Sequence, residues 1–369
     1  MSAPATLFAS CLPGLEPLLA RELEGLGALE PRPVPGGVGF RGHRRVLQRA
    51  NLESGLATHV LVRVAGFRAS RFEDLERELG AIPWERWLLP GVPRAVRASA
   101  HKSRLHHTGA LAERAARAIG ARLGDAPGEA EDAVPIALRL SRDHATVSID
   151  TSGAPLHRRG YRVRTTAAPL REDLARALLL ASGWDPTTPL VDPVCGSGTI
   201  AIEAAGLARG LPPGRLRSFA FERTALHDEA AWREVRVAAL SRALERAPAP
   251  ILASDRDAGA IEAARANAAR AGVEGDVSFA ATPLSSLDLG AVRGRPGALV
   301  LNPPYGHRLG DADRLAALYR AIGRRAAELE GWRVAVLTSE RRLGMLVSSE
   351  LRTAFVTKSG GLSVRALVR

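Results

Sequence analysis

The sequence predicts an α/β protein whose C-terminal half is a doubly wound parallel sheet, and three observations predict it. From about residue 169 short apolar runs alternate with helical periodicity, the pattern of strand–helix–strand crossovers. The first of these strands, 189–192, runs into the glycine-bearing turn Asp192-Pro193-Val194-Cys195-Gly196-Ser197-Gly198-Thr199. A later apolar run, Ala298-Leu299-Val300-Leu301, ends in Asn302-Pro303-Pro304-Tyr305. Both turns fall where open α/β sheets place their ligand crevice.

In chain order, residues 14–26 carry Leu15, Leu18, Leu19, Leu23 and Leu26 at helical spacing. A strand over 59–64, a helix over 72–79 and further short elements to about Ile149 lack the later parallel rhythm. They read as one or two small α+β modules. In the C-terminal half the patterns predict helices over 171–182, 199–208, 229–244, 258–271 and 314–329. Strands are predicted over 189–192, 250–255, 276–280, 298–301 and 333–337. The runs 354–357 and 362–368, joined by Gly360-Gly361, predict a closing antiparallel hairpin.

Composition narrows the function classes. At 369 residues, two or three domains are expected, and an apolar content of 46% is that of a globular chain. No run of about 18 uncharged apolar residues exists, so no membrane span is expected. Met1-Ser2-Ala3-Pro4 lacks the features of a signal peptide, and the two cysteines, Cys11 and Cys195, have no metal-site or disulfide pattern. A cytoplasmic, metal-free protein is the expectation. The net charge of +12 suggests an anionic partner, with nucleic acid the leading candidate. Two stretches lack any carboxylate. One, between Glu85 and Glu113, holds Arg97, Lys102 and Arg104. The other, between Asp150 and Glu172, holds His157, Arg158, Arg159, Tyr161 and Arg162. Both suit a surface that follows phosphates, and the second adds an aromatic ring for stacking.

Two constellations carry chemistry. The prolines after Asn302 stiffen its turn, so that the Asn302 side-chain oxygen and the Pro303 carbonyl can face one way as paired acceptors. That pair suits an exocyclic amine on a nucleobase, over which Tyr305 could stack. The turn 192–199 has only G-x-G, without the marks of a pyrophosphate site. A ligand with adenosine and an amino-acid tail suits it, Asp192 meeting the tail's ammonium. Asp255, which ends the next strand, is placed to accept the ribose hydroxyls, with Asp257 as competitor. Cys195 has no base beside it and reads as a packed, inert thiol.

Asp192-Pro193-…-Cys195-Gly196-Ser197-Gly198-Thr199-Ile200-…-Glu203-Ala204-Ala205, taken with Asn302-Pro303-Pro304-Tyr305-Gly306, resembles the THUMP-domain RNA guanine-N2 methyltransferases. Gly14-Leu15-Glu16, Leu156-His157-Arg158-Arg159-Gly160-Tyr161-Arg162 and Ala168-Pro169-Leu170-Arg171-Glu172 are also similar to segments of that family, so the likeness spans nearly the whole chain. It implies a ferredoxin-like segment over 1–56, a THUMP RNA-binding domain over 57–155 and a basic linker over 156–168. A Rossmann-like methyltransferase domain would occupy 169–369. It further implies S-adenosylmethionine held by Asp192, Pro193, Cys195, Gly196, Gly198 and Thr199, with Pro169 and Glu172 over it and Asp255 at its ribose. Thr282 stands where the family commonly has an Asp at the adenine. Asn302, Pro303 and Tyr305 would hold the target base, a guanosine of 23S ribosomal RNA, in a monomeric enzyme. A tRNA substrate, DNA adenine-N6 methylation and a non-catalytic RNA-binding protein are the alternatives.

Overall fold

The computed structural model describes residues 3–126, 132–165, 169–305 and 312–369. Met1, Ser2, Ala168 and Gly306, which carry parts of the sequence reading, lie outside the described residues. The chain divides into two compact units, one of residues 1–11, 19–156 and 217–238, the other of 12–18, 157–216 and 239–369. No helix among the described residues is long and apolar enough to cross a membrane.

The first unit is built on β1 (Ala5–Ser10), α1 (Glu16–Gly25), β2 (Leu29–Val34), β3 (Gly37–Gly42), α2 (Arg44–Glu53), β4 (His59–Arg68), α3 (Phe72–Ala81), β5 (Arg94–His101), α4 (Thr108–Leu123), β6 (Val134–Ser141) and β7 (His144–Asp150). Its strands form one sheet in the order β2-β3-β1-β4-β7-β6-β5. All neighbours are antiparallel except β5 and β6. The sheet is continuous from β1 through β4 to β7. The alternation along β6, buried at Val134, Ile136, Leu138 and Leu140, gives it one apolar face, on the period of two that a half-buried strand requires.

The second unit contains α5 (Glu172–Ser182), β8 (Leu190–Asp192), α6 (Thr199–Ala208), the end of α7 (Glu229–Leu240), β9 (Ile251–Asp255), α8 (Ala258–Ala271), β10 (Val277–Ala281), β11 (Ala298–Leu301), α9 (Ala312–Ala327), β12 (Arg333–Thr338), α10 (Arg341–Met345), β13 (Arg352–Ser359) and β14 (Leu362–Val368). The sheet order is β10-β9-β8-β11-β12-β14-β13, a doubly wound sheet that ends in the antiparallel hairpin, as the sequence predicts. Its first five strands are parallel, and β14 runs antiparallel to both neighbours. The predicted hairpin is present. Gly360 and Gly361 have φ of 55° and 83°, the left-handed pair that a two-residue hairpin turn demands. Strands β8 and β11 are buried at every residue, which explains why they read as unbroken apolar runs. Successive strands spread outward in two directions from the β8–β11 pair, so the chain order reverses there and a crevice opens at the carboxyl ends.

One helix is shorter than its pattern. Periodicity predicts 229–244, yet α7 stops at Leu240, because the Leu244 N–H donates to the Arg209 carbonyl at 2.8 Å. The Arg209 guanidinium answers by donating to the Leu244 carbonyl at 2.9 Å.

Candidate active site

A cavity of about 700 Å³ opens at the crevice between β8 and β11. Its wall is made by the ends of three adjacent strands. Asp192 closes β8, Asp255 closes β9 and Asn302 follows β11, and all three line the cavity with Cys195, Gly196, Thr199, Pro303 and Tyr305. Pro169, Leu170 and Arg171 line it from the segment before α5, and Ser359, Gly360 and Leu362 from the β13–β14 hairpin. The hairpin residues carry no sequence motif, so only the pairing of β14 with β12 reveals them.

Two residues that line this space carry a buried oxygen without a hydrogen-bond partner among the described residues, Asp192 Oδ2 and Asn302 Oδ1. Asp192 is only 1% exposed, and its other oxygen accepts one long bond, 3.4 Å, from the Val194 N–H. Burial, with a smaller push from Asp255, lifts its carboxyl well above the usual carboxylate range. An orphaned acid of this kind costs stability unless a cation or donor meets it. These groups fit a ligand with an ammonium end.

The turn is shaped by its neighbours. Asp255 accepts from the Gly196 N–H at 2.9 Å and from the Asp257 N–H at 3.0 Å. Asp257, the competing acid, caps α8 by accepting from the Gly259 N–H at 2.8 Å and does not line the cavity. Gly198, at φ 82°, also stands off the cavity, and a Cβ there would come within 2.9 Å of the Ala264 Cβ. It lets the turn pack on α8. The Pro193 carbonyl accepts from Ser254 Oγ at 3.5 Å, and Pro193 too lies off the lining. Thr282 is half-buried and its backbone N–H donates to the Asp255 carbonyl at 2.9 Å, but it does not line the cavity. Burial drives the Cys195 thiol far up, consistent with an inert packed side chain. Tyr305 is half-buried, and burial raises its phenol while Ser359 of the hairpin acts in the other direction.

The basic segment 157–162 is corrected by the structure. Expected to face RNA, Arg159 and Tyr161 are 2% and 3% exposed. Both turn inward onto Glu203, a lone acid on the otherwise apolar and buried α6. Arg159 Nε lies 3.5 Å and Arg176 Nε 3.1 Å from its carboxylate, and the Tyr161 hydroxyl donates to it at 3.3 Å. The signal that could have found this was Glu203 itself, since an acid on a fully buried helix demands counter-charge. Arg162 is half-buried and bonded to Glu172, so its fork is not offered to phosphate, and Glu172 does not line the large cavity. His157 is half-buried against Arg171, and burial pulls its imidazole down to about 4, so it carries no charge at neutral pH. Arg158 alone of the five is exposed, as are Arg97, Lys102 and Arg104 on and after the sheet edge β5.

Burial works against an ionised Glu203, but Arg159 and Arg176 outweigh it and hold the carboxyl below its ordinary range. Its contribution to stability is therefore present above the unfolded value and lost as pH falls through the folded one. Glu203→Ala leaves two guanidinium groups without their shared counter-charge, and a loss of about 3–5 kcal/mol is expected in urea unfolding. A loss below about 1 kcal/mol would show that the cluster does not hold the unit together.

The chain is similar to known proteins over its whole length. A family model described as RMKL-like, methyltransferase domain, matches residues 159–364, more than half of the chain, and one described as RlmL ferredoxin-like domain matches 6–61. A curated relative from Syntrophotalea carbinolica, Ribosomal RNA large subunit methyltransferase K/L, is 37% identical over all of this chain. The chain spans about half of that relative, 54% of its length. SMU.472, crystallised in complex with SAH, superposes with a TM-score of 0.89 at 32% identity, covering 100% of this chain and 98% of that one. A structure described as a predicted N6-adenine-specific DNA methylase from Listeria monocytogenes gives 0.86 at 31% identity, covering 98% and 96%. With a family model matching more than half of the chain and SMU.472, 32% identical, covered to 98% of its length, the chain belongs to the RMKL-like methyltransferase family.

Proposed function

We propose that this chain binds S-adenosylmethionine in the 700 Å³ cavity and methylates the exocyclic N2 amine of a guanosine in RNA, large-subunit ribosomal RNA being the substrate class. The observation that carries the reading is the pair of orphaned buried oxygens, one on each side of the β8–β11 crevice, in a single cavity. When bound, the cofactor supplies an electrophilic methyl group. Asp192 would hold its ammonium end and Asp255 its ribose, with Gly196 and Thr199 beside it and Pro169 over it. Asn302 Oδ1 and the Pro303 carbonyl would each accept a hydrogen from the target amine. That amine is a weak nucleophile because its lone pair is shared with the ring, and two fixed acceptors turn the lone pair outward and favour charge growing on nitrogen. Holding both reactants in place contributes several kcal/mol more, on the order of the proximity term of bound reactions. Tyr305 would stack on a base taken out of its helix. The curated relative's name supports ribosomal RNA, and residues 57–155, read as the THUMP domain, would bind the RNA.

The name of the Listeria structure favours a second reading, adenine-N6 methylation of DNA. Tritiated methyl transfer to ribosomal RNA, tRNA and duplex DNA, followed by nucleoside mass spectrometry, decides. The expected product is N2-methylguanosine in ribosomal RNA, and N6-methyladenine in DNA would replace the reading. For binding, the exposed Arg97, Lys102 and Arg104 are proposed to meet phosphates, with Arg158 beside them in role. Changing Arg97, Lys102 and Arg104 to Ala together is expected to weaken RNA binding and to lower the slope of log K against log salt by about 0.7–0.9 per contact removed. An unchanged slope refutes the surface.

A further inference from the structure

The roof of the large cavity is a short stretch of chain. Pro169, Leu170 and Arg171 line the cavity, and α5 begins at the next residue, Glu172. A second cavity of about 390 Å³ shares these three residues and is lined in addition by Arg162 and Glu172. Arg162 joins the roof to the glycine turn. Its Nε donates to Glu172 Oε1 at 2.9 Å and its Nη2 to the Leu170 carbonyl at 2.8 Å. The same Nη2 reaches Thr199 Oγ1 at 3.1 Å, and Nη1 reaches Ser197 Oγ at 3.3 Å. Ser197 and Thr199 also line the large cavity, so one guanidinium ties the roof to the glycine turn.

A second tie acts on the same segment. Asn267 of α8 is fully buried, and its Oδ1 accepts from the Val163 and Arg164 N–H groups at 2.9 and 3.1 Å. Its Nδ2 donates to the Arg164 carbonyl at 3.0 Å and the Ser197 carbonyl at 3.2 Å. The chain just after Arg162 is thereby held to the glycine turn from α8.

We propose that Arg162 is a positioning residue that latches the roof to the glycine turn, so that the cofactor cavity keeps its outline only while the guanidinium fork is engaged. A fork is needed because the acceptors lie in different directions around a plane, which three donors on one ammonium nitrogen do not reproduce. Charge-assisted bonds to Glu172 anchor the fork, and the neutral oxygens set its orientation. The latch rests on the cavity being the S-adenosyl site, and the test separates the two.

Calorimetry with SAH and hydrogen exchange of the 170–173 and 197–199 amides are read on the unaltered chain, Arg162→Lys and Glu172→Gln, with Asp192→Asn as the control for the cofactor site. Arg162→Lys keeps the charge, and about tenfold or greater loss of SAH affinity is expected, with faster exchange at both segments. The KM for S-adenosylmethionine rises while kcat at saturation and RNA affinity stay near those of the unaltered chain. Glu172→Gln moves the same readouts in the same direction and serves if Arg162→Lys does not fold. Faster exchange in the variants, in a chain that itself fails to bind SAH, would sink the cofactor reading and keep the latch. Unaltered affinity in a folded Arg162→Lys variant overturns the latch, whether or not exchange changes. Lost RNA affinity with SAH binding intact overturns it too, and returns Arg162 to the phosphate surface.

Discussion

Asn302→Ala is expected to lower kcat by about 10²–10³-fold, the range seen when one preorganised hydrogen-bonding group at a reacting centre is removed. SAH binding and RNA binding are expected to persist. The side-chain oxygen is buried, without a partner among the described residues and at the carboxyl end of a strand with every residue buried, so its position is imposed by β11 and by the prolines behind it. Removing it leaves the Pro303 carbonyl as the single acceptor. The fold has little stake in Asn302, because no hydrogen bond of the described structure depends on that oxygen. Single-turnover methyl transfer with saturating cofactor is the measurement. Turnover within about threefold of the unaltered chain would remove Asn302 from the chemistry.

Asp192→Asn has the second large effect, and it acts in two directions. The substitution keeps an acceptor for the Val194 N–H and removes the buried charge. Because burial raises the folded carboxyl above its unfolded value, this group favours folding most at low pH. Its contribution declines as pH rises from the unfolded value, about 3.9, toward the folded one. At neutral pH the amide variant, free of ligand, is therefore expected to melt at a higher temperature than the unaltered chain. Affinity for SAH moves the other way. Losing one partner of a buried charge pair costs about 2–5 kcal/mol, roughly 30-fold to several thousand-fold. In the unaltered chain, affinity should climb with pH as Asp192 ionises and then level off. A variant that is less stable and still binds would make Asp192 a structural acid.

Stability and function thus pull apart at Asp192 and together at Glu203, though both are buried carboxylates near the same glycine turn. The difference is counter-charge. Glu203 has two guanidinium groups and a phenol within the protein, whereas Asp192 has one long backbone bond and a second buried oxygen with no partner among the described residues. A completed cluster supports the fold, and an incomplete one is a request for a ligand.

Much of the second unit could be read directly. Strands such as 298–301 are short, wholly apolar and followed by a rigid or glycine-bearing turn, so both the element and its functional end are written in contiguous residues. Asp255 and Asp257 could be ranked but not separated in role until the α8 cap was visible, since either acid can end a strand or begin a helix. The hairpin was legible from its glycine pair, but its docking on β12 through β14, with β13 as the sheet edge, which brings Ser359, Gly360 and Leu362 to the cavity, was not.

By itself the sequence determined the order of strands and helices, the two turns that bear chemistry and the residues at their tips, because each of these is encoded over a few neighbouring positions. Only the tertiary structure decided which way the basic side chains point. Arg158, Arg159 and Arg162 are near-neighbours of one composition, and one faces water, one meets Glu203 in the interior and one binds the roof. A guanidinium goes where its counter-charge lies, and packing brings that counter-charge from as far as 44 residues away, Arg159 to Glu203, beyond the reach of any local pattern.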